Sequence, residues 1–177
     1  LGRPPGLAVV LVGDNPASQV YVKSKTKNAE ACGINVTDVK LPSSVSDESL
    51  SSELMKLSSN DKVDGILLQL PLPSHLNEFA ALSSIDPTKD VDGLHPYNQG
   101  LLLRGRDGLR PCTPLGVMAL ISKAMQELGE TKGFAGKHAV VVGRSILVGK
   151  PAGLLLLEEN CTVELAHSKT INLAEVC

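Results

Sequence analysis

The sequence predicts an α/β protein made of two successive units, each a parallel sheet covered by helices. Three observations carry that expectation. Apolar, β-branched runs alternate with helical patterns from Leu7 to Leu82, the signature of a parallel sheet with crossover helices. A stretch rich in Pro, Gly, Asp and Arg, Asp86 to Pro114, then interrupts the alternation and reads as a long functional loop or inter-domain passage. Beyond it, Gly143 to Pro151 lies between a strand pattern and a helix pattern, the position at which dinucleotide folds carry their glycine turn.

The elements follow in order. Leu7 to Val12 is an apolar strand ending at Gly13-Asp14-Asn15-Pro16, a turn composition. Pro16 to Ala31 is Ala- and Lys-rich and stops at Gly33, which predicts a helix with a glycine C-cap. Ile34 to Leu41 is a second strand. Ser46-Asp47-Glu48 supplies an N-cap and an acidic first turn for a helix reaching about Leu57. Val63 to Leu70 is a third strand, stopped by Pro71 and Pro73, and a short helix follows over Leu76 to Leu82. Pro114 to Leu128 is the next helix, with proline at its start and Gly129 at its end. His138 to Val142 is a strand, Gly149 to Glu158 a helix, Cys161 to Leu165 a strand and Thr170 to Cys177 a short helix.

Composition excludes several classes. Hydrophobic residues make up 42% of the 177, enough for a core. Seventeen basic and nineteen acidic side chains give a net charge of −2, against binding nucleic acid through bulk electrostatics. Tyr21, Phe79, Tyr97 and Phe134 are the only aromatics, too few for a base-stacking platform. No apolar run reaches the ~18 residues of a membrane span, and no signal peptide opens the chain. Cys32, Cys112, Cys161 and Cys177 form no C-x-x-C pair; they read as small buried hydrophobes in a reducing compartment. A cytoplasmic location follows, and an organelle targeting peptide removed ahead of Leu1 is also compatible. His75, His95 and His167 lack metal-ligand spacing, so no metal is expected.

The segments that could carry chemistry each leave two readings open. Gly143 and Gly149 are separated by five residues, and Pro151 stands where a P-loop has Ser or Thr, so this is neither a P-loop nor the common G-x-G-x-x-G. It is a pyrophosphate cradle or an ordinary tight strand–helix turn. His167-Ser168-Lys169 ends the next strand, 25 residues from Gly143 to Ser168 (168 − 143), near where dinucleotide folds select NAD by a carboxylate or NADP by a basic group. With a hydroxyl, a lysine and Arg144 but no carboxylate, it leans toward NADP; a solvated strand end is the alternative. Tyr21 and Lys25, at i and i+4, share a helix face, for acid–base work by the amine or as surface. Gln69 closes a hydrophobic strand, at the carboxyl end where parallel sheets bind ligands, or is an amide serving the following turn. Lys89-Asp90-Val91-Asp92-Gly93 is functional or loop chemistry without EF-hand spacing. Pro111-Cys112-Thr113-Pro114 can be a rigid helix start.

Taken together, the order and spelling of these segments resemble the bifunctional methylenetetrahydrofolate dehydrogenase/methenyltetrahydrofolate cyclohydrolase family. The resemblance rests on Val12-Gly13-Asp14-Asn15-Pro16-Ala17-Ser18, Tyr21-x-x-x-Lys25, Gln69-Leu70-Pro71-Leu72-Pro73, Lys89-Asp90-Val91-Asp92-Gly93, Pro111-Cys112-Thr113-Pro114, Gly143-Arg144-Ser145 with Val148-Gly149-x-Pro151, and His167-Ser168-Lys169-Thr170. It implies a folate-binding catalytic α/β domain over 1–113 and a truncated Rossmann-type NADP-binding domain over 114–177. The implied activity is NADP-dependent oxidation of 5,10-methylenetetrahydrofolate, then hydrolysis of the methenyl product to 10-formyltetrahydrofolate. Lys25 is then the general acid/base, tuned by Gln69 and Tyr21. Tyr21 stacks on the aminobenzoate of folate, Asp92 bonds the pterin and Asp90 supports it. Gly143, Arg144, Ser145, Gly149 and Ser168 hold NADP. The implied partners are tetrahydrofolate derivatives and a second copy, joined through the complete Rossmann domain; nucleic acid and membrane are not among them. Against the family pattern, the helix ahead of Leu1 and the Rossmann remainder after Cys177 are absent. That predicts an open sheet edge and poor solubility, and it leaves a non-catalytic remnant, binding folate or pairing with a full-length subunit, as the alternative.

Overall fold

The computed structural model describes residues 2–177, which divide into two compact units, one ending at Val91 and the other starting at Asp92. This division precedes the 113/114 boundary expected from sequence. Residues 92–113 belong with the second unit because they contain a helix that packs within it.

In the first unit, β1 (Gly6–Val12), α1 (Pro16–Ala31), β2 (Asn35–Leu41), α2 (Asp47–Ser58), β3 (Gly65–Leu68) and α3 (Glu78–Ser83) alternate. The sheet is parallel throughout, in the order β2-β1-β3. Right-handed crossovers from a central β1 to one edge and then to the other put α1 and α2 on opposite faces. Alternate residues of β1 therefore face different layers. Val9 and Leu11 are buried with Val22 of α1 and Leu67 of β3. Ala8, Val10 and Val12 are buried with the other parity, and Leu50 and Leu54 of α2 are fully buried. Each such leucine contributes roughly 1.5–3 kcal/mol of burial. The Asp90 segment lies beside β3: the Ile66 N–H donates to the Lys89 carbonyl at 2.7 Å and the Val91 N–H to the Ile66 carbonyl at 3.4 Å.

In the second unit, α4 (Pro96–Leu103), α5 (Cys112–Glu127), β4 (His138–Val142), α6 (Gly149–Glu158), β5 (Thr162–Ala166) and α7 (Leu173–Val176) follow. β4 and β5 pair in parallel, His138 opposite Thr162 and Val142 opposite Ala166. Helix α6 is the hub, packed on α4, α5, β4 and β5, with Ala152, Leu155 and Leu156 buried.

Two expectations are corrected. The stretch 86–114 is not continuous loop: α4 lies inside it, started by Pro96 at its first position and by His95, whose Nδ1 accepts the Tyr97 N–H at 3.0 Å. It is closed by a Schellman motif, Arg106 N–H to Leu101 carbonyl and Gly105 N–H to Leu102 carbonyl. Nor are the cysteines small buried hydrophobes as a group. Cys161 is buried, while Cys32, Cys112 and Cys177 are exposed; Cys32 and Cys112 fall at helix ends.

Candidate functional site

Two clusters form at the carboxyl ends of strands, one in each unit. In the first, β1 ends at Val12 and Gly13 turns the chain with φ +79° while its N–H donates to the Leu41 carbonyl at 2.9 Å. Asn15 Oδ1 then accepts the Ser18 N–H at 3.1 Å, and Pro16 supplies the first helical position. So α1 starts at the carboxyl edge of the sheet. Ser18 and Val22 face inward, and Tyr21 and Lys25 sit on the adjoining flank. Tyr21 is 64% exposed, offering a ring face. Lys25 is half-buried rather than buried.

Gln69 follows β3 at the same edge, its N–H donating to the Val10 carbonyl of β1 at 2.9 Å. Its Nε2 donates to the Leu70 carbonyl at 2.6 Å, and the Leu70–Pro71 peptide is cis. Gln69 Oε1 is buried with no hydrogen-bond partner, alone in this among the described side-chain oxygens and nitrogens. Such an atom costs about 1–3 kcal/mol, a cost recovered when a donor reaches it.

Asp90 is 2% exposed, held against Ile66 of β3. Gly65 makes room for the next residue, Val91: a Cβ there would lie 2.4 Å from Val91 Cγ1. The neighbouring Lys89 is structural, its ammonium donating to the Ser58 and Asn60 carbonyls at 2.6 and 3.0 Å. Asp92 opens the second unit and is half-buried.

The second cluster lies at the ends of β4 and β5. The Gly143 N–H donates to the Ala166 carbonyl at 2.8 Å, which sets the 143–149 turn beside the 167–170 turn. Gly149 is required for close approach: a Cβ there would stand 2.2 Å from the Gly143 carbonyl oxygen. Ser145 Oγ accepts the Val148 N–H at 3.1 Å and the Gly149 N–H at 3.4 Å, so its own proton is left to donate outward. Arg144 and Ser168 are exposed. The second turn is tied by the His167 N–H to Thr170 Oγ1 at 2.8 Å and the Lys169 N–H to His167 Nδ1 at 3.1 Å. The structure thus brings Gly143, Arg144, Ser145, Gly149 and Ser168 to one sheet edge. These groups suit a phosphorylated dinucleotide: a hydroxyl donor and a guanidinium at a helix N-terminus, with Ser168 and Lys169 on the adjacent strand end.

Sequence reasoning missed the turn-closing role of Ser145, the buried Asn98 on α4 and the pairing of Arg110 with Glu158. The residue spacing Ser145-x-x-Val148-Gly149 was the available signal for the first.

Fold and clusters define a two-unit α/β protein with a dinucleotide-type turn in its second unit. The tetrahydrofolate dehydrogenase/cyclohydrolase catalytic-domain family matches residues 1–92, and the NAD(P)-binding domain of the same enzymes matches residues 111–177. The chain belongs to the tetrahydrofolate dehydrogenase/cyclohydrolase family. It is 48% identical over 177 residues to the bifunctional protein FolD of Maricaulis maris, covering all of this chain and 57% of that relative. It is 50% identical over 173 residues to the FolD of Streptococcus thermophilus, covering 98% of this chain and 59% of the relative. The chain therefore spans less than two thirds of these relatives' length. Among solved structures, the FolD methylenetetrahydrofolate dehydrogenase/cyclohydrolase of Campylobacter jejuni superposes with TM-score 0.90 at 44% identity, covering 98% of this chain and 60% of that one. That of Trypanosoma brucei, complexed with NADP cofactor and inhibitor, gives TM-score 0.87 at 40% identity, covering 99% and 57%.

Proposed function

We propose that the protein oxidises 5,10-methylenetetrahydrofolate to the methenyl cation and hydrolyses that cation to 10-formyltetrahydrofolate. The observation that carries the reading is Gln69, a buried amide oxygen without a partner at the carboxyl edge of the sheet, the edge at which α1 begins.

In this reading Tyr21 stacks on the aminobenzoate ring, which its exposure allows. Asp92 bonds the pterin, and Asp90 supports the segment from its place against β3. NADP⁺ bound at the second cluster supplies the hydride acceptor. Gly143, Arg144, Ser145, Gly149 and Ser168 would hold it. Removal of hydride needs no base, so the protein's part there is alignment. Water then adds to the methenyl carbon, one C–N bond opens, its nitrogen takes one proton and a second is released. Lys25 relays these protons, with the Gln69 oxygen accepting from the amine and orienting it.

We further propose a cytoplasmic homodimer joined through the second unit. Exposed Leu120, Leu128 and Val142 support an apolar contact there. Among the described residues no helix is long and apolar enough to cross a membrane.

The test is an absorbance assay with 5,10-methylenetetrahydrofolate and NADP⁺, following reduced cofactor and then methenyl hydrolysis. Wild type is expected to perform both steps. Lys25→Ala should abolish hydrolysis, with oxidation weakened through geometry. Undiminished hydrolysis by that variant would remove Lys25 from the mechanism.

A further inference from the structure

We propose that the Arg110–Glu158 ion pair is a positioning device, tying the Asp92–Gly93 turn to the dinucleotide-type turn at 143–149 through the length of α6. The inference rests on the roles given above to Asp92 and to the second cluster.

The tie can be followed contact by contact inside the second unit. Gly93 has φ +62°, and a Cβ on it would stand 2.5 Å from the Arg110 carbonyl carbon and 2.6 Å from the Pro111 nitrogen. The backbone after Asp92 therefore lies directly on the Arg110–Pro111 peptide, and a shift of either moves the other. The Arg110 guanidinium donates from Nη1 to Glu158 Oε2. The two side chains are 21% and 29% exposed, so solvent screens this pair less than an open surface pair. Glu158 is the last residue of α6, and Gly149, against the Gly143 carbonyl, is the first. The ten residues of α6, Gly149 and Glu158 included, span about 15 Å as one rigid element, packed on α4, α5, β4 and β5.

Helix stability does not explain this carboxylate. An acidic side chain in the last turn opposes the macrodipole, and the helix end is already closed by the Cys161 N–H to the Leu156 carbonyl and the Asn160 N–H to the Leu157 carbonyl. Loop 104–110 is pressed on α4, since a Cβ on Gly108 would meet Leu101 Cδ1 at 2.7 Å. Arg110 is thus braced and can transmit position.

The two reactions differ in their need for this tie. Hydride transfer requires the folate methylene carbon and the acceptor ring near contact distance, and a misplacement of about 1 Å costs ~100-fold. Hydrolysis uses Lys25 and water, with no acceptor ring to align. The pair is therefore a positioning element for the oxidation.

The experiment compares Arg110→Met, Arg110→Lys and Glu158→Gln with wild type in the natural protein. In Arg110→Met and Glu158→Gln we expect dehydrogenase kcat to fall ~10-fold or more, with KM for both substrates and cyclohydrolase kcat within about 2-fold of wild type. Arg110→Lys, keeping the charge but not the fork, should recover most of the loss. Hydrogen exchange on the same proteins should speed up at 92–94 and 143–150 and remain unchanged in β4 and β5. Both activities falling together in proportion to lost folded protein, or unchanged kinetics, would overturn the proposal. So would exchange unaltered at the two turns. If wild type itself performs neither reaction, the proposed function has failed, and the exchange measurement alone decides whether the tie exists.

Discussion

Ser145 Oγ stands 3.1 Å from the Val148 nitrogen and 3.4 Å from the Gly149 nitrogen, accepting from both. One hydroxyl thus closes the turn ahead of α6, and in the proposed function its proton is donated to NADP⁺. Ser145→Ala removes these bonds together. It is expected to lower stability by about 1 kcal/mol and to weaken NADP⁺ binding; thermal denaturation with and without NADP⁺ would read both. A variant that loses stability but retains full affinity would assign the hydroxyl to the turn alone.

The glycines give a contrast of opposite sign. A methyl on Gly149 would meet backbone at 2.2 Å, where no side chain can yield, so Gly149→Ala should destabilise by roughly 1–3 kcal/mol. Gly116, inside α5, has nothing within 4 Å of its Cβ position. Gly116→Ala should stabilise by up to ~1 kcal/mol, the helix-propensity difference. Denaturant midpoints for the two variants moving in the same direction would contradict this.

How far the chain could be read beforehand depends on whether the signal was local. Asn15-Pro16 and Gly33 bracket α1 in sequence and cap it in the structure, where Ile34 N–H to Ala29 carbonyl and Gly33 N–H to Glu30 carbonyl form a Schellman end. The Gly143–Gly149 turn was legible for the same reason. Helix α4 was not, because eight residues containing Gly100 show no measurable periodicity, and a histidine is an unusual N-cap. Asp90 against Ile66, and Arg110 with Glu158 at 48 residues' separation, are pairings between distant segments. No composition or spacing rule records them.

Gln69 should show a trade between stability and chemistry. Its orphaned Oε1 costs about 1–3 kcal/mol, while its Nε2 bond to Leu70 returns about 0.5–1.5. Gln69→Met removes both at similar volume, so the protein should unfold at a slightly higher temperature. Methenyl hydrolysis should fall sharply in the same variant. Retained hydrolysis would show that the amide oxygen serves no donor in the reaction.

The last prediction concerns acid. Asp64 accepts from Arg3 Nη1 at 2.7 Å, from Arg3 Nη2 at 3.0 Å and from the Gly6 N–H at 2.7 Å, tying the residues ahead of β1 to the turn ahead of β3. The Arg3 hydrogen bonds, then the Gly6 N–H, hold its carboxyl below the ordinary aspartate range. A depressed carboxylate binds its proton more readily in the unfolded chain, so its stabilisation is complete above the unfolded value of about 3.9. It is lost as pH falls through the lower folded value. Glu130, bonded by the Lys137 ammonium at 2.7 Å, is lowered in the same sense. Asp64→Asn should therefore reduce stability at neutral pH and flatten its decline below about pH 4. Thermal melts of wild type and variant from pH 7 to pH 3 should converge as acidity rises; parallel curves would mean the Arg3 pairing contributes nothing to folding.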